Sequence, residues 1–454
     1  MTNSANGESG ERRLLVISYH QPTDGEVGGL RWAGFTKYLA RLGWKSWILT
    51  AAPPPTGPLP SGVTIEYCPP GRGLIGRYYR LRQALSSPAA SAPAPAPPPA
   101  PVPARGGVVG ATRTEMAGLL TVWLQGQGWM LRSALRARAL IARVQPHVVV
   151  STSPPHIHHL AAWFATRGRD VRWIVDLRDP WATSLPRSAA ADAAQRSRLA
   201  KSLIAAVERL VIQSADQVVT TTRDLAAALT ARYPRAPIRW IPNSVDKELL
   251  PPKSAHPFPG LAVAHVGSLY QGRQLGPVLR AFRAFLNRHP RAATAGSKLR
   301  QAGEIEAPQQ EAIERDLLEL DLAAHVDRLG RIPRTEALEI LARSHLALVL
   351  AGDGDYQVPA KLYEALAIGI PTLVLAPRDS AAARAASRVG ALLAEPDDVA
   401  GMTELLSQVW SEPERFASMP VHSTDHQTLA PAMSAVLSGD GHGHDAAPNV
   451  VNLA

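Results

Sequence analysis

Residues 351–376, AGDGDYQVPAKLYEALAIGIPTLVLA, say more about the fold of this chain than any other stretch. A short polar loop leads to Pro359, which suits the first turn of a helix because its missing N–H would have no partner there. The helix KLYEALAI follows and ends at Gly369, which tolerates the left-handed backbone of a helix C-terminus. The apolar run TLVLA then predicts a buried strand. The stretch therefore predicts a loop, a helix and a strand of an α/β fold.

The start of this helix is also a candidate anion site. Free N–H groups and the helix dipole favour negative charge at a helix N-terminus. Lys361 adds a positive charge in the first turn, and Glu364, one turn further on, can accept hydrogen bonds from sugar or ribose hydroxyls. A solvated amphipathic helix explains the same residues, and the pattern alone leaves both interpretations open.

The composition of the 454-residue chain is that of a soluble globular protein of two domains. Hydrophobic residues make up 46% of it, and no apolar run has transmembrane length. A polar start followed by only a strand-length apolar run gives no secretory signal, so we expect a cytoplasmic protein. The single Cys68 excludes an internal disulfide framework and a cysteine-based metal cluster.

The net charge of +10 is unevenly distributed. From Tyr67 through Arg169 there are twelve Arg, no Lys and one acid, Glu115. Basic charge beside Trp and Leu at helical spacing favours a surface that lies on anionic lipid, and Arg132, Arg136 and Arg138 are the expected contacts. A basic helix that packs its apolar side into the core explains the pattern as well. Nucleic acid is not expected, because no nucleic-acid motif is visible.

Strands and helices alternate in two series along the chain. The first series opens with the strand LLVISYH (14–20), a loop with Gly28 and Gly29, a helix and a second strand, which is a Rossmann-like half. The spacing G-x-G-x-x-G is absent, so a nicotinamide cofactor is not supported. The second series opens with LAVAHVGSLYQGR after a Pro-rich linker. Two parallel-sheet domains are predicted, with ligand in the cleft at the carboxyl ends of their strands.

The predicted boundaries follow composition. The first domain spans 1–250 and carries a Pro/Ala-rich insertion at about 86–106 that we expect to be disordered. The second domain spans 255–419. Residues 420–454 are rich in Ser, Gly, His and Pro and are predicted to form a disordered tail.

Three segments in order, VGSLYQGR, LGRIPRTEALEILARSHLALVL and VPAKLYEALAIGIPTLV, make the chain resemble a retaining, family-4-type glycosyltransferase of the GT-B fold. The resemblance covers about residues 12–415 apart from the insertion. STSPPHIHHLAAW and VDLRDPW resemble a bacterial subgroup that acts in cell-surface polysaccharide assembly. It implies two Rossmann-like domains that face a cleft, with a nucleotide-sugar donor held mainly by the second domain and an acceptor by the first. Neither a cofactor nor a bound metal is implied.

The resemblance also implies donor-binding residues. Glu364 matches the second Glu of the family's Glu-x7-Glu motif, which bonds the ribose, whereas the first Glu falls on Tyr356, with Asp355 beside it as a catalytic candidate. The family's phosphate pair falls on Gly267-Ser268 and on Arg273, so Ser replaces Arg at the first position. A surface salt bridge is the alternative role for Arg273. The remaining implied donor contacts are Arg331, Lys361 and Leu362.

For the first domain the resemblance implies a glycine loop at Gly28 and Gly29, where backbone approaches phosphate or acceptor closely, although an ordinary tight turn fits too. His156 matches a histidine near the transferred sugar, while structural roles for His156, His158 and His159 are equally open. Arg178 and Asp179 either orient the acceptor hydroxyl or pair with each other.

Asp353-Gly354-Asp355 spells a D-x-D, which holds a metal in other glycosyltransferases, but ordinary loop acids are the expected interpretation before a GT-B helix. His442 and His444 lie in the tail and reflect its composition.

The predicted function is sugar transfer from a nucleotide-diphosphate donor to a lipid-linked or polysaccharide acceptor, in cell-envelope glycan synthesis at the inner face of the membrane. Retention of the anomeric configuration is implied by the resemblance only. Two alternatives stay open. One is a GT-B-fold nucleotide-sugar epimerase or hydrolase. The other is a non-catalytic binding protein, which the absence of the first Glu and of the phosphate-binding Arg would favour.

Overall fold

The computed structural model describes residues 11–20, 27–55, 57–70, 127–182, 197–270, 272–352, 354, 356–417 and 424–440. Two parallel sheets form its framework, the first with strand order β3-β2-β1-β4-β5-β6-β7 and the second with order β10-β9-β8-β11-β12-β13. Every strand pair within both sheets is parallel. The prediction of two Rossmann-like parallel-sheet units is confirmed.

The central strands of the first sheet are short apolar runs that are buried on both faces, as is typical of parallel strands. Helix α1 (Leu30–Ala40) covers one face. The opposite face is covered by α2 (Gln127–Val144), α3 (His159–Thr166), α4 (Arg198–Ser214) and α5 (Arg223–Arg232). Its strands are β1 (Arg12–Ser18), β2 (Trp44–Thr50), β3 (Val63–Tyr67), β4 (Val148–Thr152), β5 (Arg172–Leu177), β6 (Gln217–Thr220) and β7 (Ile238–Trp240).

The second sheet starts at Ala262, after the Pro-rich segment that the sequence predicts to be a linker. Its strands are β8 (Ala262–Val266), β9 (Lys298–Ala302), β10 (Val326–Gly330), β11 (Leu346–Leu350), β12 (Thr372–Leu375) and β13 (Leu392–Ala394). Its helices are α6 (Gly276–Arg288), α7 (Pro290–Thr294), α8 (Ala307–Glu319), α9 (Arg334–Ala342), α10 (Ala360–Ile368), α11 (Ala381–Arg388), α12 (Val399–Ser411) and α13 (Pro413–Ala417).

Helix α10 forms as the opening stretch of sequence predicts. Pro359 is its N-cap residue, and Gly369 ends it in the left-handed conformation at φ 86°. Leu362 and Leu366 pack into a buried cluster with Val349 of β11 and Val374 of β12. This packing holds the first turn of α10 at the carboxyl end of β11, where the sheet opens toward the other domain.

A further helix, α14 (His426–Ser438), follows the second domain and packs against the first. Leu429 and Met433 join the cluster around Trp32, and the Trp44 indole donates to Ser434 Oγ at 2.9 Å. The prediction of a disordered tail is therefore wrong for residues 424–440. Asp425, whose carboxylate accepts from the Thr428 N–H at 2.7 Å, begins an apolar-periodic helix that the Ser- and Gly-rich composition hides.

The chain thus passes between the two domains twice, and the two crossings lie side by side. Val245 in the first crossing forms an isolated parallel bridge with Asp425 in the second. Thr424 Oγ1 donates to the Asn243 carbonyl at 2.7 Å, and Lys247 pairs with Asp425 at 3.1 Å. The predicted insertion at 86–106 and the end of the predicted tail, 441–454, lie outside the described residues.

Candidate functional site

A cleft of about 570 Å³ separates the carboxyl ends of the two sheets. Its first wall, from the N-terminal domain, contains Gly28, Arg31, Lys37, Arg178 and Asp179. Its second wall, from the C-terminal domain, contains Tyr270, Arg273, Arg334, Gln357 and Glu364. Loops that leave β1, β5, β8 and β11 supply most of these residues, which is the expected position for ligand in open α/β sheets.

Glu364 is the buried carboxylate of the second wall, with 7% of the residue exposed. Its Oε1 accepts from Arg334 at 2.5 Å, a contact that the sequence analysis did not foresee. Arg334 begins helix α9, directly after the loop that follows β10. The position of Arg334 shortly after a strand end is the feature of the sequence that could have indicated its place at the cleft. The pair fixes the Glu364 carboxylate at the cleft and leaves Oε2 without a hydrogen bond to any residue that the structure describes.

Lys361 lies just behind the cleft lining, beside Gly267. A Cβ on Gly267 would meet Lys361 Cε at 3.0 Å, so the absence of a side chain there makes room for the lysine. Burial lowers the pKa of Lys361, and Arg273 and Arg334 lower it further while Glu364 acts in the opposite direction. Among the described residues Lys361 has neither a hydrogen bond nor an ion pair, which leaves its ammonium group available for an anion.

Arg273 lines the second wall, and its guanidinium stacks 4.4 Å from the centre of the Tyr270 ring. In the part of the chain that the structure describes it has no carboxylate partner, so the alternative of a surface salt bridge is not observed. Stacking on an aromatic face orients the guanidinium without neutralising its charge.

Three other predicted donor contacts do not line the cleft. Ser268 is half-buried outside the lining. Arg331 is exposed and pairs with Glu304 at 3.4 Å. The Leu362 side chain is fully buried in the core, and its N–H donates to the Pro359 carbonyl at 3.1 Å. The geometry does not bring these three side chains to the site.

Arg178 serves the first wall as a brace. Its guanidinium donates to the carbonyls of Ser153 and Gly28, the latter at 2.7 Å. Burial lowers its pKa. A Cβ on Gly28 would meet the His20 ring at 2.7 Å, so this position needs glycine for close packing. Gly29 ends a 3₁₀ turn, Val27–Gly29, and has an ordinary φ of −92°.

Asp179 does not pair with Arg178. Its carboxylate Oδ1 accepts from Gln357 Nε2 of the second wall at 2.9 Å. Its carbonyl accepts from His156 Nε2 at 3.0 Å, and the His156 ring stacks on Trp181 with centroids 5.4 Å apart. His156 is therefore a support behind Asp179 rather than a part of the lining. Burial lowers the pKa of His156, which favours the neutral ring.

The two neighbouring histidines have structural surroundings. His158 is buried against Tyr19 and Trp129, and burial lowers its pKa to about 3. His159 Nδ1 hydrogen-bonds Ser151 Oγ at 2.8 Å, and burial lowers its pKa as well. Both rings are neutral packing elements at neutral pH.

Two cations of the first wall were not foreseen. Arg31 is buried, contacts Asp176 at 3.2 Å, and donates to the carbonyls of Ile241 and Pro242. Lys37 pairs with Asp246 at 2.6 Å and with Glu248 at 2.7 Å. Both lie on a helix whose apolar periodicity indicated only a core element.

Tyr356, which stands where the family has the first Glu of its motif, does not contribute its side chain to the cleft lining. The Tyr356 side chain packs against the core of the first domain, and its carbonyl accepts from Thr222 Oγ1 at 2.8 Å. Asp355, the predicted catalytic candidate, and Asp353 lie outside the described residues, so the structure does not describe the D-x-D. Within the described ranges no group of three or more His, Cys, Asp or Glu side chains could hold a metal ion.

The predicted lipid contacts lie on α2. Arg132 is exposed, Arg136 pairs with Glu66 at 2.9 Å, and Arg138 donates to the Arg167 carbonyl at 3.1 Å. Of the helices that the structure describes, none combines the length and the apolar character needed to cross a bilayer.

Several solved structures are similar to this chain over nearly its whole length. Sucrose-phosphate synthase from Thermosynechococcus elongatus matches with a TM-score of 0.60 and 15% identity, over 94% of this chain and 98% of that one. Anabaena HepE, solved with UDP and glucose, matches with a TM-score of 0.55 and 13% identity, over 94% and 100%. A protein described as a UDP-N-acetylglucosamine 2-epimerase, from Listeria monocytogenes, has a TM-score of 0.54 and 11% identity, over 94% and 96%. At these identities the likeness establishes the fold alone.

The sequence of the first domain adds a family match. No curated protein matches the chain. Residues 28–244, however, match the glycosyl transferase 4-like domain. The matched range runs from the Gly28 turn through the loop after β7, so it includes the five residues named above for the first wall of the cleft. The chain therefore has the two-sheet GT-B architecture, and residues 28–244 of it are similar to a glycosyl transferase 4-like domain.

Proposed function

We propose that this chain transfers a sugar from a nucleotide-diphosphate donor to a lipid-linked or polysaccharide acceptor in cell-envelope glycan synthesis. The observation that carries the proposal is the group of three cations, Arg273, Arg334 and Lys361, around the buried Glu364 at the cleft. Such a group suits a diphosphate, which bears negative charge, next to a ribose, which offers hydroxyls. The match of the first half to a glycosyl transferase 4-like domain and the HepE complex with UDP and glucose support it.

Each residue has a separate task in this proposal. Arg273 and Lys361 neutralise the diphosphate, on which negative charge grows as the glycosidic bond breaks. Glu364, held by Arg334, uses its second oxygen to accept from a ribose hydroxyl. Neutral His156 supports the Asp179 segment from behind.

Retention of configuration is part of the proposal and rests on the family resemblance. In a retaining reaction on one face of the sugar, the departing phosphate oxygen takes the proton of the acceptor hydroxyl as that hydroxyl bonds to the anomeric carbon. A separate general base is then not required, and no cofactor takes part.

The donor site is tested by calorimetric titration of UDP and GDP. Lys361→Ala and Glu364→Ala are expected to weaken binding of the preferred nucleotide. Because Glu364→Ala leaves Arg334 unpaired, Glu364→Gln is the matched variant that keeps the shape. Arg331→Ala, at an exposed position away from the cleft lining, is the control. Unchanged affinity in both Lys361→Ala and Glu364→Ala would remove the proposed donor site.

A nucleotide-sugar epimerase or hydrolase is the second candidate, since the Listeria protein described as an epimerase has the same fold. It needs no glycan acceptor. Incubation of the purified chain with a nucleotide sugar alone separates the candidates: turnover to a new sugar or to free sugar favours this second function. Tight nucleotide binding without any turnover, with or without acceptor, favours a non-catalytic binding protein.

We further propose that the protein is cytoplasmic and binds peripherally to the inner face of the membrane. The proposal rests on the outer surface of α2 and α3. Leu131 and Leu135 of α2 are 61% and 65% exposed, and Phe164 of α3 is 46% exposed. Arg132 lies beside these leucines without an ion pair to any residue described. Exposed apolar groups next to free cationic charge suit the boundary between anionic headgroups and acyl chains.

Flotation with anionic vesicles tests this surface. The triple change Leu131→Ser, Leu135→Ser and Arg132→Gln is expected to reduce vesicle binding strongly. Leu318→Ser, which removes a 79% exposed leucine of the second domain, should leave it unchanged. Binding that ignores the triple change and added salt would refute the proposed surface.

A further inference from the structure

A polar contact joins the two walls of the cleft. Gln357 Nε2 of the second wall donates to Asp179 Oδ1 of the first wall at 2.9 Å, although 178 residues separate them in sequence. Both residues line the cleft, and both are half-buried. The contact joins the loop that precedes helix α10 to the loop that follows β5.

Both partners are held in place by their surroundings. The Asp179 carbonyl accepts from His156, whose ring stacks on Trp181. The backbone next to Gln357 is fixed because Thr222 Oγ1 donates to the Tyr356 carbonyl at 2.8 Å. A pair positioned in this way is preorganised to bind a ligand with little loss of side-chain entropy.

The pair keeps unused hydrogen-bonding capacity. Among the described residues, Asp179 Oδ2 and the Gln357 side-chain oxygen have no hydrogen-bond partner, and neither atom is sealed from solvent. Because Arg178 donates to carbonyls instead, no described cation pairs with Asp179. Two acceptor oxygens and a second amide N–H, side by side at a cleft, match two neighbouring hydroxyl groups.

We propose that Asp179 and Gln357 form a subsite for neighbouring hydroxyls of the transferred sugar, assembled from both domains. The inference rests on the proposed function, since it needs a sugar beside the diphosphate. It assigns Asp179 to the transferred sugar rather than to the acceptor. It also makes Gln357 a positioning residue, because Gln357 holds the Asp179 carboxylate in addition to facing the ligand.

The test compares affinities for a nucleoside diphosphate and for its sugar conjugate, with UDP against UDP-glucose and GDP against GDP-mannose as probes. In the wild type, the conjugate of the preferred nucleotide should bind more tightly than the nucleotide alone. Gln357→Ala and Asp179→Asn should each reduce this preference about tenfold while the affinity for the nucleotide alone changes less than twofold. Arg384→Gln removes an exposed ion pair to Asp224 across the same domain boundary and should leave the preference unchanged.

A swapped pair separates ligand contact from a structural role. Gln357→Glu places two carboxylates together and should lose the preference at neutral pH, with partial recovery at low pH. The double variant Asp179→Asn with Gln357→Glu restores one amide and one carboxylate and should recover part of the preference. If the single variants keep the wild-type preference, or the wild type has none, the subsite is refuted while nucleotide binding stands. If the wild type binds neither nucleotide, the proposed function fails together with it.

Discussion

The two walls of the cleft both carry cations, but the cations named in the first wall are all bound by protein groups, whereas of the cations described on the second side only Arg334 is paired, with Glu364. Arg31 is bound to Asp176 and to two carbonyls, Lys37 to Asp246 and Glu248, and Arg178 to two more carbonyls. On the second side, Arg273 stacks on a tyrosine ring, and Lys361 has no partner within the described ranges. Positive charge on the first wall therefore maintains its shape, whereas positive charge on the second remains available to a ligand.

Replacing a cation of the first wall should cost stability. Arg31→Met leaves the fully buried Asp176 carboxylate without its cation, and breaking a buried ion pair costs about 3–5 kcal/mol. Urea unfolding monitored by circular dichroism measures this cost. Arg41→Met, which removes an exposed partner of Glu248, is the control with little expected effect. A loss for Arg31→Met as small as that of the control would break the comparison.

Replacing a cation of the second side should cost binding instead. Lys361→Met is expected to weaken nucleoside-diphosphate binding about 10- to 150-fold, the equivalent of a charged hydrogen bond of about 1.5–3 kcal/mol. Stability should not fall, since the change removes a partly buried charge without a described partner. Lys37→Met is the matched control in the first wall, with less than a threefold effect expected in the same calorimetric titration. Equal losses of affinity in both variants would contradict the assignment.

Helix α14 contributes His426 to the first wall, and a glycine contact tests this. A Cβ on Gly34 would lie 2.4 Å from His426 Nδ1, and overpacking of this kind costs about 1–3 kcal/mol. Gly34→Ala should therefore lower the free energy of unfolding by that amount. Adding His426→Ala should restore part of it, because the smaller side chain leaves room for the methyl group. If the second change restores nothing, α14 does not form this part of the wall.

The pH dependence of binding should be small and should arise from the second side. Burial holds the pKa of Lys361 below its ordinary value of 10.5, and a bound diphosphate would raise it again. Binding then takes up protons, and affinity falls as pH rises through the lowered pKa, by at most about tenfold per unit. Calorimetry in buffers of different ionisation enthalpy measures the uptake. Lys361→Met should abolish it, and uptake that persists in this variant would assign it to another group.

The sequence predicts the framework of this molecule well because strands and helix ends are encoded locally. Pro359 and Gly369 mark the ends of α10 through their own backbone preferences, whatever the rest of the chain does. Lys361 and Glu364 could be placed together because both lie in the first two turns of one predicted helix, whereas Arg273 was placed beside them by the resemblance to the glycosyltransferase family.

The hydrogen-bond and ion-pair partners of these side chains could not be predicted from the sequence in the same way, because they lie far away along the chain. Whether Arg31 is free or bound depends on Asp176, 145 residues away, and Gln357 acquires meaning only through Asp179 in the other domain. His156 illustrates the same limit, since the resemblance implied a position near the transferred sugar while its ring lies behind Asp179. Helix α14 was missed because its apolar face has no partner nearby in sequence.

The paired crossings between the domains have a consequence for how the molecule moves. A single connection would leave a pivot point, about which one sheet could turn in any direction relative to the other. Two connections joined by the Val245–Asp425 bridge and the Thr424 hydrogen bond restrict such turning, because a large rotation of one sheet must bend both connections together or break the bonds between them.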